Sequence, residues 1–153
     1  RKGAMEKATI TCTRRVQFCC GHRLLHHESK CAHLHGHNYV ALFHARAEAL
    51  DGVGRVVDFS VLKERLGGWI DEFWDHGFIY NAEDEATLRA LEVADTLFPL
   101  GQKVYPLPEN PTAENMADHL LRFVAPAVMD GTGVEVYKVT LWETENCYAE
   151  VEL

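Results

Sequence analysis

His35-Gly36-His37-Asn38-Tyr39-Val40-Ala41-Leu42-Phe43-His44-Ala45-Arg46-Ala47-Glu48 is the stretch from which the fold can be read. His35, His37, Tyr39, Ala41, Phe43 and Ala45 share one parity, the period-2 pattern of a strand with one buried face. Leu50-Asp51-Gly52-Val53-Gly54 then reads as a turn. Upstream, Thr9 to Cys20 repeats the alternation, with Ile10, Cys12, Val16, Phe18 and Cys20 on one face. His22 continues that parity if the strand runs past Gly21, and the two segments are natural pairing partners.

Beyond the turn the period changes. Asp58 is a good helix N-cap. After it Phe59, Leu62, Leu66, Trp69, Ile70 and Phe73 recur at helical spacing, interrupted by Gly67-Gly68. This helix should end near Trp74-Asp75-His76-Gly77. A short helix is expected from Asp84 to about Val93. Phe98 to Pro111 holds four of the five prolines and reads as mostly loop. Thr112 is a second N-cap, with Glu114 in the first turn, where the helix dipole favours a carboxylate. Met116, Leu120, Val124 and Val128 make the stripe of that helix, and Pro126 is placed to kink or end it. Val134 to Glu145 and Cys147 to Leu153 alternate as two strands with a tight connection near Glu145-Asn146. Strands and helices come in blocks, which predicts an α+β fold: an antiparallel sheet with two main helices on one face. Four strands leave sheet edges that assembly into an oligomer would cover.

A chain of 153 residues fits one domain with a sizeable core, expected to run from Met5 to Leu153, with Arg1 to Ala4 reading as an addition ahead of the native start. The formal charge of -8 argues against a nucleic-acid surface, which needs a basic excess to displace counterions. It leaves room for a small anionic substrate met by a local cluster of positive groups. No apolar run reaches the roughly 18 residues of a membrane span, and no apolar signal segment follows the N-terminus. Five cysteines, an odd number, point to a reducing cytoplasm. Cys12, Cys19, Cys20 and Cys147 fall in strand-like segments and read as small buried hydrophobes.

Nine histidines is a high count, and most lie in the first 44 residues. Positions two apart on a strand point the same way, so His35 and His37 present two imidazoles to one ion. His22, at the end of the partner strand, is the natural third ligand. Three histidines with an open fourth position are the pattern of a catalytic zinc site, although imidazole also suits other transition metals. His26, His27, His33 and His44 read as solvated or hydrogen-bonded non-ligands. Cys31 lies four residues before His35, beside Lys30, and both the lysine and a nearby dication would favour thiolate. It is either a fourth ligand that closes the site or a general base beside an open one. Asp75-His76 is either a carboxylate-imidazole relay or a helix C-terminal histidine next to an unrelated aspartate. Glu143 shares parity with Tyr137, Val139 and Leu141. It is either a carboxylate on an apolar face waiting for a ligand with two adjacent N–H donors, or a strand-end glutamate in solvent.

Six segments in order resemble one family. Phe18-Cys19-Cys20-Gly21-His22-Arg23-Leu24 is similar to F-x-x-x-H-R-L, and Cys31 through Tyr39 to C-x-x-x-H-G-H-N-Y. Val57 to Lys63 is similar to V-x-D-F-x-x-L-K, and Trp74-Asp75-His76 through Asn81 to L-D-H followed by an apolar stretch and Asn. Asn110 to Glu114 is similar to N-P-T-x-E, and Leu141 to Thr144 to the late E-T motif. The family is that of the 6-pyruvoyl- and 6-carboxy-tetrahydropterin synthases, and the resemblance covers nearly the whole chain.

The resemblance implies a T-fold subunit that assembles into a β-barrel, commonly a hexamer made of two trimers with active sites where subunits meet. It implies zinc on His22, His35 and His37, Cys31 as catalytic base with Asp75 and His76 completing its proton relay, and Glu143 anchoring the pterin ring. Thr112, in the N-P-T-x-E match, is the second substrate-binding candidate. The three residues between Cys31 and His35 favour the carboxy branch of the queuosine route. In that branch 7,8-dihydroneopterin triphosphate loses triphosphate and acetaldehyde. The alternatives are the pyruvoyl branch and a zinc-bound T-fold protein that binds a pterin or purine without turning it over. No G-x-G-x-x-G or P-loop pattern suggests a redox cofactor. Trp74 in place of Leu, the longer step from His76 to Asn81 and the longer stretch from about Glu92 to Pro108 depart from the family pattern around the pocket.

Overall fold

The computed structural model describes residues 8–97 and 101–153, so the expectation for Arg1 to Ala4 lies outside the described residues. The first two strands, β1 (Thr11–His22) and β2 (His35–Arg46), pair antiparallel along their whole length. Their register sets His22 opposite His35 and Cys20 opposite His37. Helix α1 covers 59–73, where α-helical Phe59–Leu62 and Gly68–Phe73 flank a π-helical turn at Lys63–Gly67. Asp58 caps it by accepting from the Ser60 N–H. There follow β3 (Gly77–Asn81), α2 (Glu85–Leu97) and β4 (Val104–Leu107). Helix α3 covers 113–128, again with a π-helical turn, Leu120–Val124, and continues past Pro126 to Val128. The chain ends in β5 (Glu135–Thr144) and β6 (Cys147–Glu152).

Among the described residues the six strands form one sheet in the order β4-β3-β1-β2-β5-β6. The sheet is larger than four strands and is mixed, because β3 runs parallel to both β1 and β4. Gly77–Asn81 follows α1 directly and is too short to show a period of its own. β4 contains Pro106, which is tolerated because β4 is an edge strand whose outer N–H positions need no partner.

One face of the sheet carries the core. Phe18, Tyr39, Ala41, Phe43, Val139 and Leu141 pack against Leu62, Leu66 and Ile70 of α1 and against Met116, Leu120 and Val124 of α3. Burying each of the large side chains contributes about 1.5–3 kcal/mol. The period-2 reading breaks at two bulges in β5. His44 pairs with Lys138 but Ala45 with Val136, so Tyr137 is the extra residue. Tyr137 therefore leaves the parity of Val139 and Leu141 and lies against His44, ring centroids 6.3 Å apart. The second irregularity falls between Trp142 and Thr144, at Glu143. Cys147 is exposed rather than buried, since it opens edge strand β6 straight after the turn, and Cys12 and Cys19 are only half-buried.

Candidate metal centre

The antiparallel register of β1 and β2 brings three imidazoles together. His22 and His35 are cross-strand partners, and His37 lies one pleat further along the same face. The ring centroids are 4.6 Å apart for His22–His35, 5.0 Å for His22–His37 and 4.9 Å for His35–His37. Gly36, between the two β2 histidines, has no room for a side chain: a Cβ would come 2.9 Å from the Cys20 carbonyl oxygen.

The nitrogens are sorted by their hydrogen bonds. His22 Nδ1 donates to the Pro111 carbonyl at 2.7 Å, and His35 Nδ1 donates to the His33 carbonyl at 2.7 Å. A carbonyl can only accept, so both rings carry their proton on Nδ1 and leave Nε2 as a lone pair. Those two Nε2 atoms face each other at 3.0 Å. His37 Nε2 is buried and has no hydrogen-bond partner. Each nitrogen lies within 4.8 Å of the other two. Two tetrahedral zinc–nitrogen bonds of 2.0–2.1 Å set their nitrogens about 3.3 Å apart. Opposed lone pairs beside an orphaned buried nitrogen therefore fit a bound metal ion well. Burial lowers the His22 pKa to about 4, and the other two imidazoles add to that shift. Burial lowers His37 as well, partly offset by Glu143 and reinforced by His35. Both effects keep the rings neutral and ready to coordinate.

The surroundings hold these rings in place. The Tyr39 hydroxyl lies 3.3 Å from His22 Nδ1, and its ring stacks on Phe18. Asn110 ties the loop behind His22: its amide accepts from the Leu25 N–H at 2.9 Å and donates to the Leu25 carbonyl at 2.9 Å. Arg23 makes a bidentate pair with buried Asp84, at 2.5 and 2.6 Å, and donates to the Ala32 carbonyl beside Cys31. The Arg23 guanidinium holds the Asp84 carboxyl down to about 2, helped by Thr87. Sequence reasoning missed Asn110, Arg23 and Asp84 as site-shaping residues. Asn110 and Arg23 lie inside recognisable motifs, whereas Asp84 reads only as the start of a helix and nothing local points to its pairing with Arg23, 61 residues away.

Glu143 approaches the trio from β5, with Oε1 3.6 Å from His37 Nε2, too long for a hydrogen bond. The β2–β5 ladder begins only at Val40 opposite Trp142, so residues 36–38 have no β5 partner. A cavity of about 750 Å3 opens there, lined among others by Arg15, Gln17, His37, Asn38, Trp142 and Glu143. Thr112 caps α3, its hydroxyl accepting from the Asn115 N–H at 3.1 Å, and next to it Ala113 and Glu114 line a further cleft with Glu143. Cys31 lies on a short 3-10 turn, Lys30–Ala32, and is half-buried.

Asp75 and His76 lie elsewhere. His76 Nδ1 is 2.8 Å from Asp75 Oδ2, as expected of a carboxylate-imidazole pair. Their thiol neighbour is Cys19, not Cys31: Cys19, Asp75 and His76 offer ligand-type atoms all within 4.8 Å of one another. Within one chain the structure does not bring Cys31 into that group. His26, His27, His33 and His44 also stay outside both groups, and His44 bridges Thr13 and Thr140. Among the described residues no helix is long and apolar enough to cross a membrane.

The fold and the site define a class, an α+β subunit with a three-imidazole group able to hold a metal ion. The chain belongs to the 6-pyruvoyl tetrahydropterin synthase family, whose family model matches residues 11–153. It is 42% identical over 142 residues to the 6-carboxy-5,6,7,8-tetrahydropterin synthase of Rickettsia bellii (strain RML369-C), covering 93% of this chain and 99% of that protein. It is 36% identical over 126 residues to the enzyme of the same name from Aquifex aeolicus (strain VF5), covering 80% and 75% respectively. Among solved structures, the uncharacterized protein WS1659 from Wolinella succinogenes superposes with a TM-score of 0.81 at 24% identity, covering 95% of this chain and 99% of that one. The 6-pyruvoyl tetrahydropterin synthase of Plasmodium vivax superposes with a TM-score of 0.65 at 19% identity, covering 94% and 98%. The fold is therefore the expected T-fold.

Proposed function

We propose that the chain is a zinc-dependent 6-carboxy-5,6,7,8-tetrahydropterin synthase acting on 7,8-dihydroneopterin triphosphate. The carrying observation is the convergence of His22, His35 and His37, with His37 Nε2 unpartnered and His37 itself lining a cavity that Glu143 also lines. The names of the relatives favour the carboxy branch, as does the short step from Cys31 to His35.

A zinc ion held by the three histidines would supply Lewis acidity at the substrate's side-chain oxygens. Glu143 accepts the two adjacent N–H groups of the pterin edge and fixes the ring. Thr112, whose hydroxyl already accepts from Asn115, has its own proton free to donate to the substrate. Cys31 takes protons from the side-chain carbons, and the Asp75-His76 pair holds and returns them. The ring gains its hydrogens from its own side chain, so no external reductant enters. Triphosphate leaves by elimination, and one water adds as the carbon-carbon bond is cleaved, leaving a carboxylate on the ring and releasing acetaldehyde.

Cys31 does not join Asp75 and His76 within one chain. We therefore assign the relay to a subunit boundary, with His76 of one subunit serving Cys31 of another. The edge strands β4 and β6 are where further pairing would occur, and a hexamer of two trimers meets that need. Incubation with 7,8-dihydroneopterin triphosphate and mass analysis tests the reading. The expected products are 6-carboxy-5,6,7,8-tetrahydropterin, acetaldehyde and triphosphate. 6-Pyruvoyl-tetrahydropterin would move the chain to the other branch, and binding without product would make it a binder.

A further inference from the structure

We propose that Cys19, Asp75 and His76 form a second metal site, distinct from the histidine trio, for a zinc-like divalent cation. A thiol sulfur, a carboxylate oxygen and an imidazole nitrogen lie within 4.8 Å of one another. Cys19 has the opposite parity to His22 on β1, so this site lies on the other face of the sheet.

The donors are set by the backbone rather than by chance exposure. Asp75 Oδ1 accepts from the Cys19 N–H at 3.0 Å, and the Cys19 carbonyl accepts from the His76 N–H at 2.7 Å. These two bonds clamp the end of α1 onto β1. His76 is held with φ at +59°, which fixes where its ring leaves the chain. Lys103 Nζ donates to the Asp75 carbonyl at 2.6 Å and closes the far side. Zinc bonds of about 2.3 Å to sulfur and 2.0–2.2 Å to nitrogen or oxygen need donors about 3.3–3.7 Å apart, so a cation here replaces the 2.8 Å hydrogen bond between His76 Nδ1 and Asp75 Oδ2. Cys19 and His76 both line an open cavity of about 450 Å3, which leaves room for water as a fourth ligand.

The donor set selects the ion. Thiolate and imidazole favour zinc, cobalt or nickel over calcium and magnesium, which want oxygen. The nearby Lys103 ammonium opposes a cation, so this site is weaker and more exchangeable than the trio. Binding releases the thiol proton, so affinity rises with pH. A cation here also occupies His76. On the proposed function, and only on it, excess zinc therefore inhibits turnover.

The test adds cobalt(II) to the full-length protein with zinc already in the trio. One further cobalt per chain is expected, with a thiolate-to-cobalt charge-transfer band in the near ultraviolet. Cys19→Ser should retain its zinc, lose the band and weaken cobalt binding by roughly tenfold or more. Cys31→Ser should keep the band. No second cobalt, or a band that survives Cys19→Ser, overturns the proposal. A second site confirmed in this way, with turnover unaffected by its occupation, upholds the proposal and sinks the role given to His76.

Discussion

The His22-His35-His37 trio and the Cys19-Asp75-His76 group lie on opposite faces of strand β1, and they differ in what their polar atoms lack. In the trio, His22 and His35 have committed Nδ1 to carbonyls, their Nε2 atoms face each other at 3.0 Å, and the buried His37 Nε2 has no partner. At Asp75-His76 the two side chains already satisfy each other, and His76 is 78% exposed. A buried group with unmet valence costs free energy until a ligand arrives, whereas an exposed pair in water costs little. The trio is therefore able to hold a metal ion, and the outer cluster carries the proton-moving role and the weaker second ion only as proposed above.

Removing a trio ligand should break this comparison most severely. His35→Ala leaves two imidazoles and deletes one of the facing Nε2 atoms. Metal content per chain should collapse, and turnover should fall by more than the roughly 10–100-fold that loss of an outer partner costs. Metal analysis and steady-state rates check both. A variant that keeps full metal would show that His22 and His37 recruit a third donor from elsewhere, with Glu143, 3.6 Å from His37, the first suspect.

The support behind the trio comes next. Asp84 is 1% exposed and takes two hydrogen bonds from Arg23, which also holds the Ala32 carbonyl. Asp84→Asn puts an amide N–H group against a guanidinium and strands a charge. The expected cost is about 3 kcal/mol in chemical unfolding, with the Cys31 turn loosened. A loss below about 1 kcal/mol would mean that the turn stands without this pair.

The two regions were legible to different degrees, for physical reasons. The His35-x-His37 pair and the parity of His22 follow from period 2 alone, and the structure places all three together. Period 2 failed at β5, because a bulge adds a residue without changing composition, and Tyr137 was assigned to the wrong face. β3 and β4 were missed because five- and four-residue strands carry too little pattern, and Pro106 speaks against a strand unless its edge position is known. Cys19 was read as a small hydrophobe because nothing local says that a turn far along the chain returns to it. The pairing of residues 19 and 75 is a tertiary fact.

Protons should distinguish the regions more gently. Burial lowers the His22 pKa to about 4 against an ordinary 6.5. Between those values the unfolded chain binds a proton that the folded chain refuses, so stability falls as pH falls through this window. In metal-free protein the His22 share is about 3 kcal/mol in total, at roughly 1.4 kcal/mol per pH unit. Denaturant melts across the window should show the slope, and His22→Gln should flatten it. Added zinc should offset the loss at the upper end by mass action. A metal-free protein whose stability is level over this range would contradict the burial argument.

The gentlest perturbation is His76→Ala, and it asks whether the two clusters are independent. The histidine is exposed, and its pair with Asp75 is worth under about 1 kcal/mol. Its left-handed backbone, φ +59°, strains alanine and histidine alike, so the change in strain is small. Its N–H to the Cys19 carbonyl is main chain and survives the substitution. Stability should therefore move by no more than about 1 kcal/mol, and trio metal content should not move at all. Thermal unfolding with metal analysis on the same samples is sufficient. Loss of trio metal in this variant would mean that the β1 backbone at Cys19 transmits across the sheet to His22, three residues on, and that the two faces form a single site.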